Sequence, residues 1–211
     1  MGTMRGRFIS LEGGEGAGKS TQARLLAEFL RGRGIVVRLT REPGGVEGAE
    51  EIRRLLTMGA PDRWRPMTET LLHLAARVEH WERLIAPSLA IGEWVISDRF
   101  SDSAVAYQGY GQGVGAAAVA RLHSEAIGGH HPDMTLILDL PVDVGLARAA
   151  ERRGREARYE QMSLDFHHRV REGFLAIARH APERCRVIRA EEPVMAVAAA
   201  IQACIMAAEW F

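Results

Sequence analysis

The sequence predicts an α/β fold: a five-stranded parallel sheet flanked by helices. Two observations carry this expectation. Short apolar runs alternate with longer segments of helical periodicity, and that alternation requires right-handed crossovers between parallel strands covered on both faces. The first apolar run also leads through a glycine-rich loop into a helical pattern, the order in which a strand feeds an anion-binding helix start.

Taken in order, Phe8, Ile9, Ser10 and Leu11 read as the first strand. Residues 20–30 carry Ala23, Leu26, Ala27 and Leu30 on one helical face. Residues 35–39 form a second strand after the break at Gly32 and Gly34. A helix follows Gly48 with Ile52, Leu55 and Leu56 turned inward, and a longer one spans about residues 68–84, the chain beyond Pro87 being a candidate continuation. Residues 94–97 and 134–140 are the third and fourth strands, and Val187-Ile188 a short fifth. The last helix covers about residues 194–210, with Val194, Val197, Ile201 and Ile205 as its core face. The glycine-rich stretch 109–115 reads as a loop. No repeat, low-complexity tract or linker interrupts the chain, so residues 1–211 are expected to form one domain.

Composition narrows the function. Lys plus Arg and Asp plus Glu number 27 each, so there is no basic field for nucleic acid. No apolar run approaches the roughly 20 residues of a membrane span, and residues 1–7 lack the apolar stretch of a signal peptide. Cys185 and Cys204 are far apart in sequence, which fits a reducing cytoplasm. His130-His131 and His167-His168 are adjacent pairs, not the spacing of a helical zinc site.

The strongest motif is Gly13, Gly14, Glu15, Gly16, Ala17, Gly18, Lys19 and Ser20, followed by Thr21. It fits G-x-x-x-x-G-K-[ST] between a strand and a helix. Glycines let backbone N–H groups curl around phosphates, Lys19 adds a point charge, and the Ser20 hydroxyl suits Mg²⁺. The loop therefore points to ATP. No N-K-x-D segment marks a guanine-reading switch protein. A phosphotransferase needs a second anion site as well. Candidates are residues 40–45 (T-R-E-P-G-G) after the second strand, residues 97–100 (S-D-R-F) after the third, and an arginine-rich stretch with Arg148, Arg152, Arg153, Arg155 and Arg158. Ligands gather at the carboxyl ends of strands in open α/β sheets, so the first two should share a crevice with the loop.

These segments, with A-E-x-I-R (49–53), A-A-R (75–77), A-Y-Q-G (106–109) and H-P-D-x-T-x-x-L-D (131–139), resemble the bacterial thymidylate kinase family, in its order and over nearly the whole chain. The resemblance implies a P-loop nucleoside monophosphate kinase-like fold with an arginine-rich lid at about residues 148–160. It also implies Mg-ATP-dependent phosphorylation of dTMP for dTTP supply, and a homodimer. Carried over, Glu15 receives the 3′-hydroxyl, while Arg99, helped by Arg53, holds the acceptor phosphate. Asp98 lies near the metal and the phosphates, with Ser20 as the other Mg²⁺ ligand. Arg77 donates to a thymine carbonyl, Tyr107 and Gln108 lie along sugar and base, and Glu42 and Pro43 shape the floor. No arginine occupies the variable positions of the loop, so the resemblance assigns the catalytic guanidinium to Arg153 and Arg158.

Three positions depart from the family pattern. His73 stands where Phe usually stacks on thymine, Ala104 (beside Ser103) where a base-contacting Thr, Ser or Asn is common, and Ala157 where Asp commonly precedes the arginine. The first two give the expectation of a weaker or broader choice of base. The alternatives carried alongside are a related (deoxy)nucleotide kinase and a non-catalytic nucleotide-binding module.

Overall fold

The computed structural model describes residues 5–151, 158–208 and 210. Five strands form one parallel sheet in the order β2-β3-β1-β4-β5: β1 (Phe8–Glu12), β2 (Val37–Arg41), β3 (Trp94–Asp98), β4 (Met134–Asp139) and β5 (Cys185–Arg189). From β1 the chain builds one side of the sheet through β2 and β3, then crosses to add β4 and β5 on the other. The carboxyl ends of β1, β3 and β2 are neighbours at that reversal, where α/β sheets open a crevice.

The helices are α1 (Lys19–Arg31), α2 (Glu47–Thr57), α3 (Pro66–His80), α4 (Ala86–Ala90), α5 (Ser101–Ala104), α6 (Ala116–Ile127), α7 (Val142–Ala150), α8 (Leu164–His180) and α9 (Val194–Met206). All five residues of β1 are buried, as a central strand covered on both faces demands. Ile9 and Leu11 join Leu26 and Leu30 of α1 and Ile201 and Ile205 of α9 on one face. Phe8 turns the other way, to Ile85, Leu89 and Phe100. In β4 the same alternation sends Leu136 and Leu138 to the first face and Ile137 to Tyr107, Phe166 and Phe174 on the second.

All five expected strands are present, their ends shifted by about two residues or fewer, as end effects allow. The helix through residues 66–90 runs past Pro87, which follows a π-helical turn at Trp81–Ile85; the proline, with no N–H to donate, falls where the regular α-helical ladder is already interrupted. The stretch expected to be a loop is partly helical, since Val105–Gly111 continues α5 as a π-helical turn. Close packing explains its glycines: a Cβ on Gly111 would meet Phe166 and Val170 of α8 at 2.6 and 2.8 Å. Leu55 and Val194 are outside the core, 40% and 53% exposed, while Leu56 and Val197 are inside. Helices α5, α6, α7 and α8 are not among the sequence expectations. In α8 the signal exists, because Phe166, Val170, Phe174 and Ile177 are buried at helical spacing.

Candidate active site

The loop between β1 and α1 is shaped by close backbone approaches. A Cβ on Gly16 (φ 69°) would lie 2.0 Å from the Gly145 carbonyl oxygen of α7, so only glycine fits. Gly18 (φ 87°) caps α1. Lys19 Nζ donates to the Gly14 carbonyl at 2.7 Å. Burial and nearby Arg99 pull its pKa down to about 8 against the attraction of Glu15, Asp98 and Glu12. The Ser20 hydroxyl donates to the Asp98 carboxylate, because Asp98 ends β3 in register with Leu11 of β1.

Arg99 follows directly, with φ 72°, the one positive value for a non-glycine residue among those described. Such a backbone costs about 1–3 kcal/mol. The guanidinium offsets this with donations to Gly13 O (3.0 Å), Ser103 Oγ (3.1 Å), Glu15 Oε1 (3.1 Å) and Tyr107 Oη (2.9 Å). Hydrogen bonds from a charged group contribute about 1.5–3 kcal/mol each, so the strained turn is over-determined. Burial alone would raise the Glu15 pKa, but Arg99, Lys19 and the Tyr107 hydroxyl outweigh it and hold the group at about 2.

A second cluster forms the far wall. Glu42 accepts from Arg77 Nε at 2.8 Å and from His80 Nδ1 at 3.2 Å, all three side chains buried. Burial opposes the charge on Glu42, yet Arg77 and His80 keep its pKa below the ordinary value. Arg77 also donates to the Phe100 carbonyl at 3.2 Å, leaving three of its five N–H groups without a partner among the described residues. Arg53 donates to the Pro43 carbonyl at 2.7 Å. His73 Nε2 lies 2.7 Å from the Tyr159 hydroxyl.

One crevice of about 250 Å³ is lined by residues from both clusters: Glu15, Gly16, Gly18, Lys19, Ser20, Asp98 and Arg99 on one side, Glu42, Pro43, Arg53, His73 and Arg77 on the other, with Ser103, Ala104, Tyr107 and Gln108 between. Gly13, Gly14, Ala17 and Thr21 belong to the same loop and first turn but do not line it. Arg158 is elsewhere. Its side chain is fully buried, paired with Glu69, and donates to the carbonyls of Leu56, Ala60 and Pro61. Arg153 and Ala157 lie outside the described residues.

Three participants escaped the sequence reading. Glu69 and Tyr159 support the far wall through hydrogen bonds. Glu69, His73 and Arg77 recur every four residues on α3, a polar face that could have revealed the first. Glu12, at the end of β1, accepts from the Phe100 N–H at 2.7 Å and the Ser103 hydroxyl at 2.5 Å, holding both sides of the Arg99 turn. Burial and the Asp102 carboxylate raise its pKa from 4.5 to about 8. The folded state thus binds a proton that the unfolded chain releases, so this contribution is full below about pH 4.5 and is lost as pH rises through about 8. Glu12→Gln should remove that loss: its Tm relative to the native chain should climb between about pH 5.5 and about pH 8.5, read by thermal unfolding.

A phosphate loop at the sheet's reversal point, facing an arginine-bearing wall across one crevice, defines a P-loop nucleoside monophosphate kinase fold. The thymidylate kinase family model matches residues 11–201. The chain is 56% identical to the thymidylate kinase of Caulobacter vibrioides over 93% of its own length and 94% of that protein's, and 53% identical to that of Dinoroseobacter shibae over 93% and 95%. The crystal structure of thymidylate kinase from Ehrlichia chaffeensis superposes with a TM-score of 0.78 at 36% identity, covering 96% of this chain and 99% of that one. The chain belongs to the thymidylate kinase family.

Proposed function

We propose that the chain transfers the terminal phosphoryl group of ATP to dTMP, giving dTDP for dTTP synthesis. The observation that carries this reading is the shared crevice: Lys19 and Ser20 of the loop and Arg53 and Arg99 of the acceptor side line one cavity, so two phosphates can meet end to end. Ser20 and Asp98 are hard oxygen donors already in contact, a pair that suits Mg²⁺. Bound there, the ion supplies charge neutralisation at the phosphate oxygens.

In this reading Lys19 steadies the outer phosphates of ATP and Arg99, with Arg53, holds the acceptor phosphate for in-line attack. Glu15 and Tyr107 meet the deoxyribose, and Arg77 donates to a thymine carbonyl. His73, Ser103 and Gln108 complete the acceptor wall over a floor of Glu42 and Pro43. Arg153 brings the catalytic charge within a single 1–211 domain, whereas Arg158 and Tyr159, at the end of the lid expected at about 148–160, are fixed in the wall. Arg153→Ala should then cut kcat about a hundredfold or more, the scale of losses at preorganised charge stabilisers, with Tm unchanged.

Leu55 of α2, Met58 just after it, and Met67 and Leu71 of α3 are exposed, apolar side chains that suit a homodimer. No helix among the described residues is long and apolar enough to cross a membrane, and the reading places the enzyme in the cytoplasm with nucleotides, not nucleic acid, as partners. A coupled ADP-release assay with and without dTMP is the test. Turnover that requires dTMP supports the proposal; ATP consumption indifferent to every monophosphate, or binding without turnover, overturns it.

His73 and Ala104 in the crevice wall favour a wider acceptor range than a Phe-bearing relative has. kcat/KM for dTMP, dUMP, dGMP and dCMP should differ less than in such a relative, and an equally sharp dTMP preference would refute this.

A further inference from the structure

Two buried carboxyl groups lie beneath the turn that carries Arg99, and only one of them has a cation in contact. Asp102 of α5 is paired with Arg184 through hydrogen bonds of 2.6 and 2.8 Å and also accepts from Thr135. Glu12 has no exposed surface and no ion pair among the described residues. Its partners, the Phe100 N–H and the Ser103 hydroxyl, are both neutral. A second charge there would stand unpaired beside that of Asp102, and a buried carboxyl group without a counter-ion keeps its proton. The surrounding charges do not reverse this. Arg99 favours ionisation but already pairs with Glu15 at 3.1 Å. Lys19 of α1 donates to Gly14, and Arg184, just before β5, is engaged by Asp102. The Cys185 thiol is held neutral by burial. A Glu12 pKa of about 8 agrees with this balance.

Glu12 nevertheless reaches both ends of Arg99. One oxygen holds the N–H of Phe100, the next residue in the chain, and so fixes the turn at φ 72°. The other meets Ser103 Oγ, which accepts from Arg99 Nη1 at 3.1 Å and steadies the guanidinium. The Glu12–Ser103 contact holds one hydrogen, supplied by Glu12 when neutral and received by it when ionised, so this brace survives in either state. What changes on ionisation is charge: a further anion appears beside the guanidinium.

We infer that Glu12 is a positioning residue that works as a neutral acid, aiming Arg99 at the acceptor phosphate without setting another anion against that phosphate. Acceptor binding and protonation of Glu12 then favour each other, since linkage is reciprocal. The inference rests on Arg99 holding the acceptor phosphate, as in the proposed function.

The experiment follows KM and kcat for dTMP from about pH 7 to about pH 9 at saturating Mg-ATP, in the native chain, Glu12→Gln and Glu12→Leu. In the native chain KM should rise about tenfold as Glu12 ionises, while kcat stays level because bound dTMP draws the proton back. Glu12→Gln is neutral and both donates and accepts, so its KM at about pH 7 should lie within about threefold of the native value and lack the rise. Titration of Lys19 or of the nucleotide would appear in both chains alike. Glu12→Leu is neutral without either hydrogen bond, and its KM should be higher by about tenfold or more at every pH. A second measurement needs no variant. With ¹³C at the glutamate carboxyls of the native chain, one resonance should titrate with a midpoint near 8, and dTMP should move that midpoint upward. No glutamate titrating above about pH 6 overturns the inference. So does a KM that climbs equally in the native chain and Glu12→Gln, or a native-like KM in Glu12→Leu. A midpoint that moves with dTMP in a chain that does not phosphorylate it refutes the proposed function and leaves the inference standing. A midpoint indifferent to dTMP in an active enzyme refutes the inference alone.

Discussion

Lys19→Ala should lower kcat by about a hundredfold or more at saturating ATP and dTMP, with Tm nearly unchanged. The ammonium sits at the start of α1, inside the crevice, and among the described residues donates only to the Gly14 carbonyl. Burial and Arg99 already weaken its hold on its proton, and in the proposed function a polyphosphate is its partner. A fixed cation aimed at developing charge in a shielded site typically contributes two to three orders of magnitude in rate. Removing it leaves Glu15 with Arg99 and Tyr107, so no new unpaired carboxylate is created. Steady-state kinetics beside a melting curve give the answer, and near-normal turnover would contradict the role given to the loop.

Arg158→Met should act on stability. Deleting one partner of a buried ion pair typically costs about 3–5 kcal/mol, because the other charge is left without compensation. Here that charge is Glu69, fully buried, and three backbone carbonyls lose their donor as well. For a chain of this size about 1 kcal/mol corresponds to roughly 2–4 °C, so Tm should fall by roughly 6–20 °C. Thermal unfolding measures the drop, and kinetics well below the new Tm measure the chemistry separately. A loss of kcat about a hundredfold at unchanged Tm would return Arg158 to the reaction.

These two residues also show what could be read without coordinates. Lys19 belongs to a contiguous motif whose meaning is local: strand, turn, helix start. The same holds for Asp98 and Arg99, since a short apolar run ending in a charged pair marks the carboxyl end of a strand. Parallel strands were legible from apolar runs, and the crevice followed from their direction. Arg158 was different. An arginine-rich stretch suggests a solvated or closing segment, and its burial is decided by Glu69, 89 positions away in sequence. Glu12 and Ser103 are 91 positions apart, and no periodicity announces their hydrogen bond. The glycines at 109 and 111 looked like a loop because sequence alone does not tell a glycine that frees the backbone from one that admits a neighbour; the Ala116 backbone at 109, and Phe166 and Val170 at 111, make the difference. Leu55 and Val194 fit helical stripes yet are exposed, since periodicity does not say how wide a face its neighbours cover.

The close approach of Gly16 to α7 has a consequence for how such an enzyme can be rebuilt. A longer side chain at 16 would collide with the Gly145 carbonyl, and one at 13 with the Leu138 carbonyl at 2.5 Å, whereas a Cβ at 14 would meet nothing within 4 Å. Among the glycines at 13, 14 and 16, only 14 therefore offers a guanidinium an open doorway, and entry at 13 or 16 would demand that β4 or α7 retreat. The geometry of a neighbouring helix thus decides which ancestral or engineered variants of the turn remain reachable by single substitutions.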